Sequence, residues 1–156
     1  MNKPLKNNCR YISAEMRIDS SPDEIVHIAR IIRWIAVELK FTTRRVDEIE
    51  LAVVEAMNNA MKHANNMNTS DQVTVKWYVD DNSLKIEVLD QGKSMQAQPA
   101  GSLPSANKIN GRGWFLISAC MDEAMWSPKY PGNRVLLVKH FTTNQKSLIH
   151  SIHNSF

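Results

Sequence analysis

The sequence predicts a single α/β domain in which helices lie on one face of a mixed, mainly antiparallel sheet. Between residues 22 and 64, two stretches repeat apolar residues every three or four positions, which is typical of helices that face a core on one side. Two runs of alternating apolar and polar residues then flank residues 80–83, a pattern typical of a β-hairpin. This order of patterns favours a helical layer packed against a sheet.

The composition is ordinary for a globular protein, with 43% hydrophobic and 22% charged residues in a chain of 156. This length suits one domain, which we expect to span residues 1–156 with a core at about 10–141. The net charge of +3 comes from scattered Lys and Arg, which argues against direct nucleic-acid binding. Cys9 and Cys120 lack metal-ligand spacing, and no segment has the apolar length of a membrane helix. We therefore expect a reduced, cytoplasmic protein.

The first elements are a strand and a helix. Loose alternation over residues 9–18 predicts the strand. Ser21 and Glu24 have the spacing of a capping box, in which each side chain bonds the backbone of the other, and Pro22 suits the first helical position. We expect this helix to continue to about Lys40.

The second helix begins after Thr42 or Thr43, either of which can cap it, and ends near residues 65–66. The hairpin follows, with strands over residues 73–79 and 84–88. Its second strand continues into Asp90, which therefore lies at a strand end.

Residues 93–110 contain two prolines, three serines and one glycine, without a periodic pattern. Such a loop indicates a lid or a binding loop, with simple disorder as the alternative. A short buried helix is expected after Gly113, and strands over residues 124–127 and 134–141 complete the sheet. The tail, residues 142–156, forms either a short helix with one apolar side or a frayed terminus, and we favour fraying.

Three polar residues interrupt the apolar pattern of the second helix. Glu55, Asn59 and His63 recur every fourth residue and therefore form a row along one side of the helix. Taken alone, this row is equally typical of a solvated helix side. Two glycine motifs that follow it in the chain, Asp90-x-Gly92 and Gly111-Arg112-Gly113, favour a functional role.

The three motifs in this order resemble those of the GHKL ATPases, whose domain is a two-layer α/β sandwich called the Bergerat or histidine kinase-like fold. The sequence Gly-Arg-Gly-Trp-Phe-Leu-Ile at residues 111–117, followed by Met-Asp-Glu at 121–123, resembles the anti-sigma factor serine/threonine kinases of that superfamily. The resemblance spans about residues 10–141. Within these 156 residues we expect no phosphoacceptor helical hairpin of the histidine kinase type.

The resemblance implies that ATP and Mg²⁺ are the cofactors. By this comparison Glu55 is the catalytic base, Asn59 binds Mg²⁺, and Asp90 accepts a hydrogen bond from the adenine amino group. The other residues implied to bind nucleotide are His63, Gly92, Gly111, Arg112 and Gly113. Residues 93–110 correspond to the family's lid over ATP.

Some positions depart from the family pattern, among them the bulky Trp114 and Phe115 after Gly113, where many relatives have a smaller second residue. Ser94 stands where relatives have a second glycine, and Asn133 follows Gly132 where a threonine is common. The resemblance implies a kinase that phosphorylates a STAS-type anti-anti-sigma protein and thereby regulates a sigma factor. The departures favour an alternative, a non-catalytic module that binds nucleotide and sequesters its partner. The resemblance also implies a homodimer, with the first strand and Trp77 as contact points, and no membrane partner.

Overall fold

The computed structural model describes residues 12–64, 72–92, 112–129 and 131–153. The strands within these ranges are β1 (Ile12–Asp19), β2 (Gln72–Val79), β3 (Ser83–Asp90), β4 (Glu123–Pro128) and β5 (Asn133–His140). The helices are α1 (Pro22–Glu38), α2 (Thr43–Ala64), α3 (Arg112–Cys120) and α4 (Thr143–His153). The order expected from the sequence is confirmed, and the loop at residues 93–110 lies outside the described residues.

The strands form one sheet in the order β1-β2-β3-β5-β4. Each of the four described pairings is antiparallel, so the mainly antiparallel sheet is confirmed and these strands contain no parallel pair. In the central pairing Asp90, the last residue of β3, lies opposite Asn133, the first residue of β5. The backbone ladder therefore brings together two residues that are far apart in the chain.

The two faces of the sheet differ in polarity. Val75, Ile86 and Leu137 on one face are completely buried, together with Ile49 and Val53 of α2. The opposite face carries ion pairs between neighbouring strands, with Lys76 to Glu15 at 2.8 Å and Arg134 to Glu87 at 2.6 Å. Burial of the apolar face under the helices supplies most of the driving force for folding. The predicted helical layer on one face is confirmed.

The side chain of Trp77 belongs to the core. It is 6% exposed and lies on the sheet face that the helices cover, opposite Ala14 and Ile86 of the neighbouring strands. Its expected role as a surface contact point is therefore wrong, because the pleat directs it away from the open face. Trp34 of α1, in contrast, is 65% exposed.

The capping interactions at the starts of α1 and α2 agree only in part with those predicted from the sequence. Pro22 occupies the first turn of α1 as expected, but the side chain of Ser21 makes no capping hydrogen bond. The backbone carbonyl of Ser21, rather than its hydroxyl, accepts from the N–H of Glu24 at 3.2 Å, so the predicted capping box is wrong. Thr42 caps α2, since its hydroxyl accepts from the N–H of Arg45 at 3.4 Å.

The tail forms a helix up to His153, so the expectation of a frayed terminus is wrong. The side-chain oxygen of Gln145 accepts hydrogen bonds from the N–H and the hydroxyl of Thr142, at 3.0 and 3.1 Å. These bonds make Thr142 and Gln145 a capping box at the start of α4. The amide of Gln145 also donates to the carbonyl of Leu39 at 3.0 Å, which fastens α4 to the end of α1. None of the described helices combines the length and the apolar character needed to span a bilayer.

Candidate active site

Glu55 and Asn59 lie one turn apart on α2, beside its apolar stripe. Both are half-buried, whereas Ala56 and Ala60 next to them are buried in the core. The stripe fixes the rotation of the helix, because its apolar side must face the sheet. The polar row is thereby held at the edge of the core. His63 lies in the last turn of α2, and its side chain is outside the described residues.

Helix α3 meets this row at Gly113. A Cβ atom on Gly113 would lie 2.9 Å from Oε2 of Glu55 and 3.2 Å from Nδ2 of Asn59. Because glycine lacks that atom, the first turn of α3 packs directly against both side chains. The turn also brings the positive end of the helix dipole close to the row. Arg112 begins α3 and is exposed, while Gly111 lies outside the described residues.

Asp90 is buried at the end of β3, with 6% of its surface exposed. Its Oδ1 accepts from the backbone N–H of Gly92 at 3.0 Å and from that of Asn133 at 3.2 Å. The side-chain amide of Asn133 donates to Oδ1 at 3.1 Å and to Oδ2 at 3.3 Å. These bonds fix the orientation of the carboxylate and compensate for its burial.

Gly132 allows the turn before β5 to approach the end of β3. Its φ is +100°, and a Cβ there would lie 1.9 Å from the backbone oxygen of Asp90. Any other residue would clash with the backbone and be strained at this φ. From the sequence, Asn133 is only a departure from the family's glycine-threonine pair, and the proximity of Gly132 and Asn133 to Asp90 was not predicted. The signal that could have found it is their position at the start of the last strand, opposite the end of β3.

Lys139 of β5 holds the other end of α3, and sequence reasoning missed this contact too. Its side chain is 4% exposed, and its Nζ donates to Oε2 of Glu48 at 2.8 Å and to the carbonyl of Cys120 at 2.5 Å. A cation bonded to a C-terminal carbonyl stabilises a helix end. The hydrogen bond from Lys139 lowers the pKa of Glu48, against the opposing effect of burial, and burial raises the pKa of the Cys120 thiol.

Asp122 fixes the turn between α3 and β4. Its Oδ2 accepts from Nη2 of Arg45 and from the N–H of His140, both at 2.7 Å. Met121 beside it is buried in the core. Two residues of the Met-Asp-Glu sequence thus help to position α3.

Comparison with known proteins assigns residues 18–139 to the histidine kinase-like ATPase domain family. The serine-protein kinase RsbW of Bacillus subtilis is 27% identical over 128 residues, which cover 76% of this chain and 79% of that protein. RsbW of Oceanobacillus iheyensis is also 27% identical, over 149 residues that cover 89% of this chain and 92% of that protein.

A crystal structure of the RsbU and RsbW domains of a Mycobacterium tuberculosis protein has a similar fold, with a TM-score of 0.59 and 16% identity. The match covers 81% of this chain and 32% of the longer one. These findings confirm the resemblance to anti-sigma factor serine kinases, the α/β fold and, through the named relatives, the enzyme class. The roles of individual residues stay predictions.

Proposed function

Since the chain belongs to the histidine kinase-like ATPase domain family, we propose that it is a kinase that binds Mg²⁺-ATP and phosphorylates a serine or threonine of a STAS-type anti-anti-sigma protein. The observation that carries the proposal is the contact of Gly113 with Glu55 and Asn59. Two motifs separated by more than fifty residues meet at one place, and both belong to the predicted nucleotide site. A solvated helix side would not require a glycine against it.

Asp90 would recognise the adenine end of the nucleotide. The exocyclic amino group of adenine donates hydrogen bonds, and a carboxylate held by backbone N–H groups is a fixed acceptor for it. Gly92 is buried in the turn beyond Asp90, and its lack of a side chain would let a flat ring lie close to the backbone. The buried position supports this role, because a polar contact in a low dielectric discriminates more strongly than one in water.

Asn59 and the first turn of α3 would hold the phosphate end. An amide oxygen is a suitable ligand for Mg²⁺ when phosphate oxygens and waters complete its coordination. The N–H groups at the start of α3 suit an anion, and Arg112 adds an exposed positive charge beside them. A bound Mg²⁺ would offset the negative charge of the phosphates. His63 and Gly111 would complete the nucleotide site, and residues 93–110 would close over it as a lid.

Glu55 would act on the hydroxyl of the protein substrate. Its carboxylate, one turn before Asn59, would accept a hydrogen bond from the serine or threonine hydroxyl and direct the oxygen toward the γ-phosphorus. As the new P–O bond forms, the bond to the β,γ-bridging oxygen breaks and ADP leaves, while the hydroxyl proton passes to Glu55. The half-buried position of Glu55 supports this role, because a protein substrate must reach the carboxylate.

The names of the relatives, RsbW serine-protein kinases, support the proposed protein partners. We propose that the chain is a single domain and regulates a sigma factor through its STAS-type partner in the cytoplasm. The eight-residue edge strand β1 leaves one side without a strand neighbour in the described sheet, which suits pairing in a homodimer. Both the partner and the dimer are proposals.

Radiolabelled ATP tests the reaction, with a purified STAS protein encoded beside this chain as the substrate. Wild type should transfer label to the partner, and Glu55→Gln should lose at least about a hundredfold in rate while binding ATP normally. Glu50→Gln is the matched control, since Glu50 lies on the same helix but pairs with Arg33. Nucleotide-dependent binding of the partner without transfer by wild type would instead support the sequestering module, which the departure at Asn133 favours.

A further inference from the structure

The outer face of the helical layer exposes apolar side chains. Trp34 of α1 is 65% exposed, although tryptophan side chains are highly buried on average. Of the six large apolar side chains that are exposed in the described part of the chain, four lie on α1 and α2: Val26, Trp34, Val37 and Leu51. Single exposed apolar residues are normal, but several on one face are typical of a surface that binds another protein.

Three residues of α1 form a stripe along this face. Val26, Arg30 and Trp34 recur every fourth residue and are all exposed, so they follow one another along the side of the helix that faces away from the core. Arg30 has no ion pair with an acidic residue in the described part of the chain. The stripe therefore combines apolar and aromatic surface with one positive charge that is available to a partner.

An ion pair between α1 and α2 shows where this stripe lies relative to the candidate catalytic residue. Arg33 pairs with Asp47 at 2.8 Å, so these two residues lie at the same level of the helix pair. The connection between the helices, residues 39–42, is short, and the helices therefore run antiparallel. Val26, two turns back from Arg33, then lies about level with Glu55, which is two turns beyond Asp47.

The stripe and Glu55 fit within one protein interface. Leu51, one turn before Glu55 on α2, is 41% exposed and continues the apolar surface toward it. Trp34 lies about two turns from Glu55 along the helices and one helix to the side, which is roughly 15 Å in all. A stable interface covers about 800 Å² on each partner, or a radius of roughly 16 Å. A protein whose hydroxyl reaches Glu55 would therefore cover the stripe as well.

We propose that Val26, Arg30, Trp34 and Leu51 form a docking face for the protein substrate of the kinase. This inference rests on the proposed function, because the docking face is assigned by its distance from Glu55. The matching surface belongs to a folded domain and carries apolar side chains around a carboxylate, close to the serine or threonine that receives the phosphate. Tryptophan and arginine are the residue types that most often dominate interface energies, and the carboxylate would pair with Arg30 and orient the substrate.

Transfer of radiolabel at varied concentrations of the purified STAS protein encoded beside this chain tests the docking face. Trp34→Ala should raise the KM for that protein at least about tenfold, because the largest apolar contact is lost. The rate at saturating STAS protein and the affinity for ATP should each change less than about threefold, since docking precedes the chemical step and Trp34 does not belong to the nucleotide site.

Two further variants separate docking from general damage to the protein. Arg30→Glu should raise the same KM at least about tenfold at low salt and by less at high salt, because it reverses the charge that faces the carboxylate of the partner. Met125→Ala is the matched control, since Met125 is 47% exposed but lies on β4, outside the docking face, and its loss should leave the KM unchanged. All three replaced side chains are exposed, so thermal melting should show that the variants stay folded.

The outcomes separate this inference from the proposed function. A KM for Trp34→Ala within about twofold of the wild-type value would overturn the docking face. A lower rate at saturating STAS protein with an unchanged KM would also contradict it, because Trp34 would then affect the chemical step. Dissociation of a wild-type dimer by Trp34→Ala in sedimentation would show that the face pairs two copies of the chain instead. Absence of transfer by wild type would overturn the proposed function itself and with it the premise of the docking face.

Discussion

The two ends of the proposed nucleotide site are held by different kinds of structure. At the adenine end, Asp90 and Asn133 are opposite partners in the ladder of β3 and β5, and both are buried. At the phosphate end, Glu55 and Asn59 project from α2 and meet α3 at Gly113, and these residues are half-buried. A backbone ladder fixes the first end, whereas side-chain packing between two helices fixes the second.

This difference predicts which substitutions in the site should lower the stability of the fold and which should not. The register of two strands can change only by whole residues, so Asp90 and Asn133 either lie opposite each other or do not meet at all. Two helices packed through side chains can shift by fractions of an ångström. Changes at the adenine end should therefore cost stability, and changes at the phosphate end should mainly cost catalysis.

The largest expected effect on stability is that of Gly132→Ala. The new Cβ would overlap the backbone of Asp90, and alanine is strained at a φ of +100°. We expect the free energy of unfolding to fall by about 3 kcal/mol, measured by urea denaturation. A loss below about 1 kcal/mol would show that the turn moves freely and that the adenine end is not rigid.

Lys139→Met should have the next largest effect. It leaves the Cys120 carbonyl and the Glu48 carboxylate without their buried cation, which should cost about 2 kcal/mol of unfolding free energy. Phosphoryl transfer should fall more than ATP affinity, because α3 loses its anchor. The matched control is Arg44→Met, since Arg44 also bonds Glu48, at 2.9 Å, but is 89% exposed and should contribute little. Equal losses in the two variants would contradict the special role of Lys139.

Gly113→Ala should leave stability within about 1 kcal/mol of wild type, since alanine favours a helix and the crowded atoms are the ends of side chains. The displaced Glu55 and Asn59 should nevertheless lower phosphoryl transfer at least about tenfold. Denaturation and the transfer assay on the same preparation measure both effects. Full activity would show that the row does not need close contact with α3.

The smallest expected effect is a dependence of stability on acid pH. Because Lys139 lowers the pKa of Glu48 in the folded state, Glu48 contributes stability above its ordinary pKa of 4.5, and this contribution is lost as the pH falls through the lower folded value. Wild type should therefore exceed Glu48→Gln in unfolding free energy by more at about pH 6 than at about pH 3. A constant difference across this range would show that Glu48 is not held as an ion by Lys139.

Most of the secondary structure could be predicted from local patterns. The alternating strands on either side of residues 80–83 and the apolar stripe of α2 are visible as periodic patterns in the sequence. Recognising them needs no knowledge of tertiary contacts. The start of α4 could also have been predicted, because Thr142 and Gln145 have the spacing of a capping box. We expected a frayed terminus there instead. Ser21 shows the reverse case, because a capping pattern does not ensure that the hydroxyl forms the bond.

The contacts that assemble the candidate site could be predicted only in part. The spacing of Glu55 and Asn59 predicts that they lie on the same side of α2. It does not predict that Gly113 packs against them. The bonds of Asn133 to Asp90 depend on the register of β3 and β5, so the sequence showed Asn133 only as a departure from the family pattern. No local pattern marked Lys139 as a contact of α3. Contacts of this kind depend on how distant segments meet, which short-range periodicity does not contain.

Calorimetry of ATP binding with and without Mg²⁺ tests most directly whether Asp90 and Asn59 bind opposite ends of one nucleotide. Wild type should bind ATP more tightly with Mg²⁺. Asp90→Ala should abolish binding under both conditions, because the adenine contact is lost, whereas Asn59→Ala should keep the weaker binding and lose the dependence on Mg²⁺. Normal binding by Asp90→Ala, or an unchanged Mg²⁺ dependence in Asn59→Ala, would contradict the account.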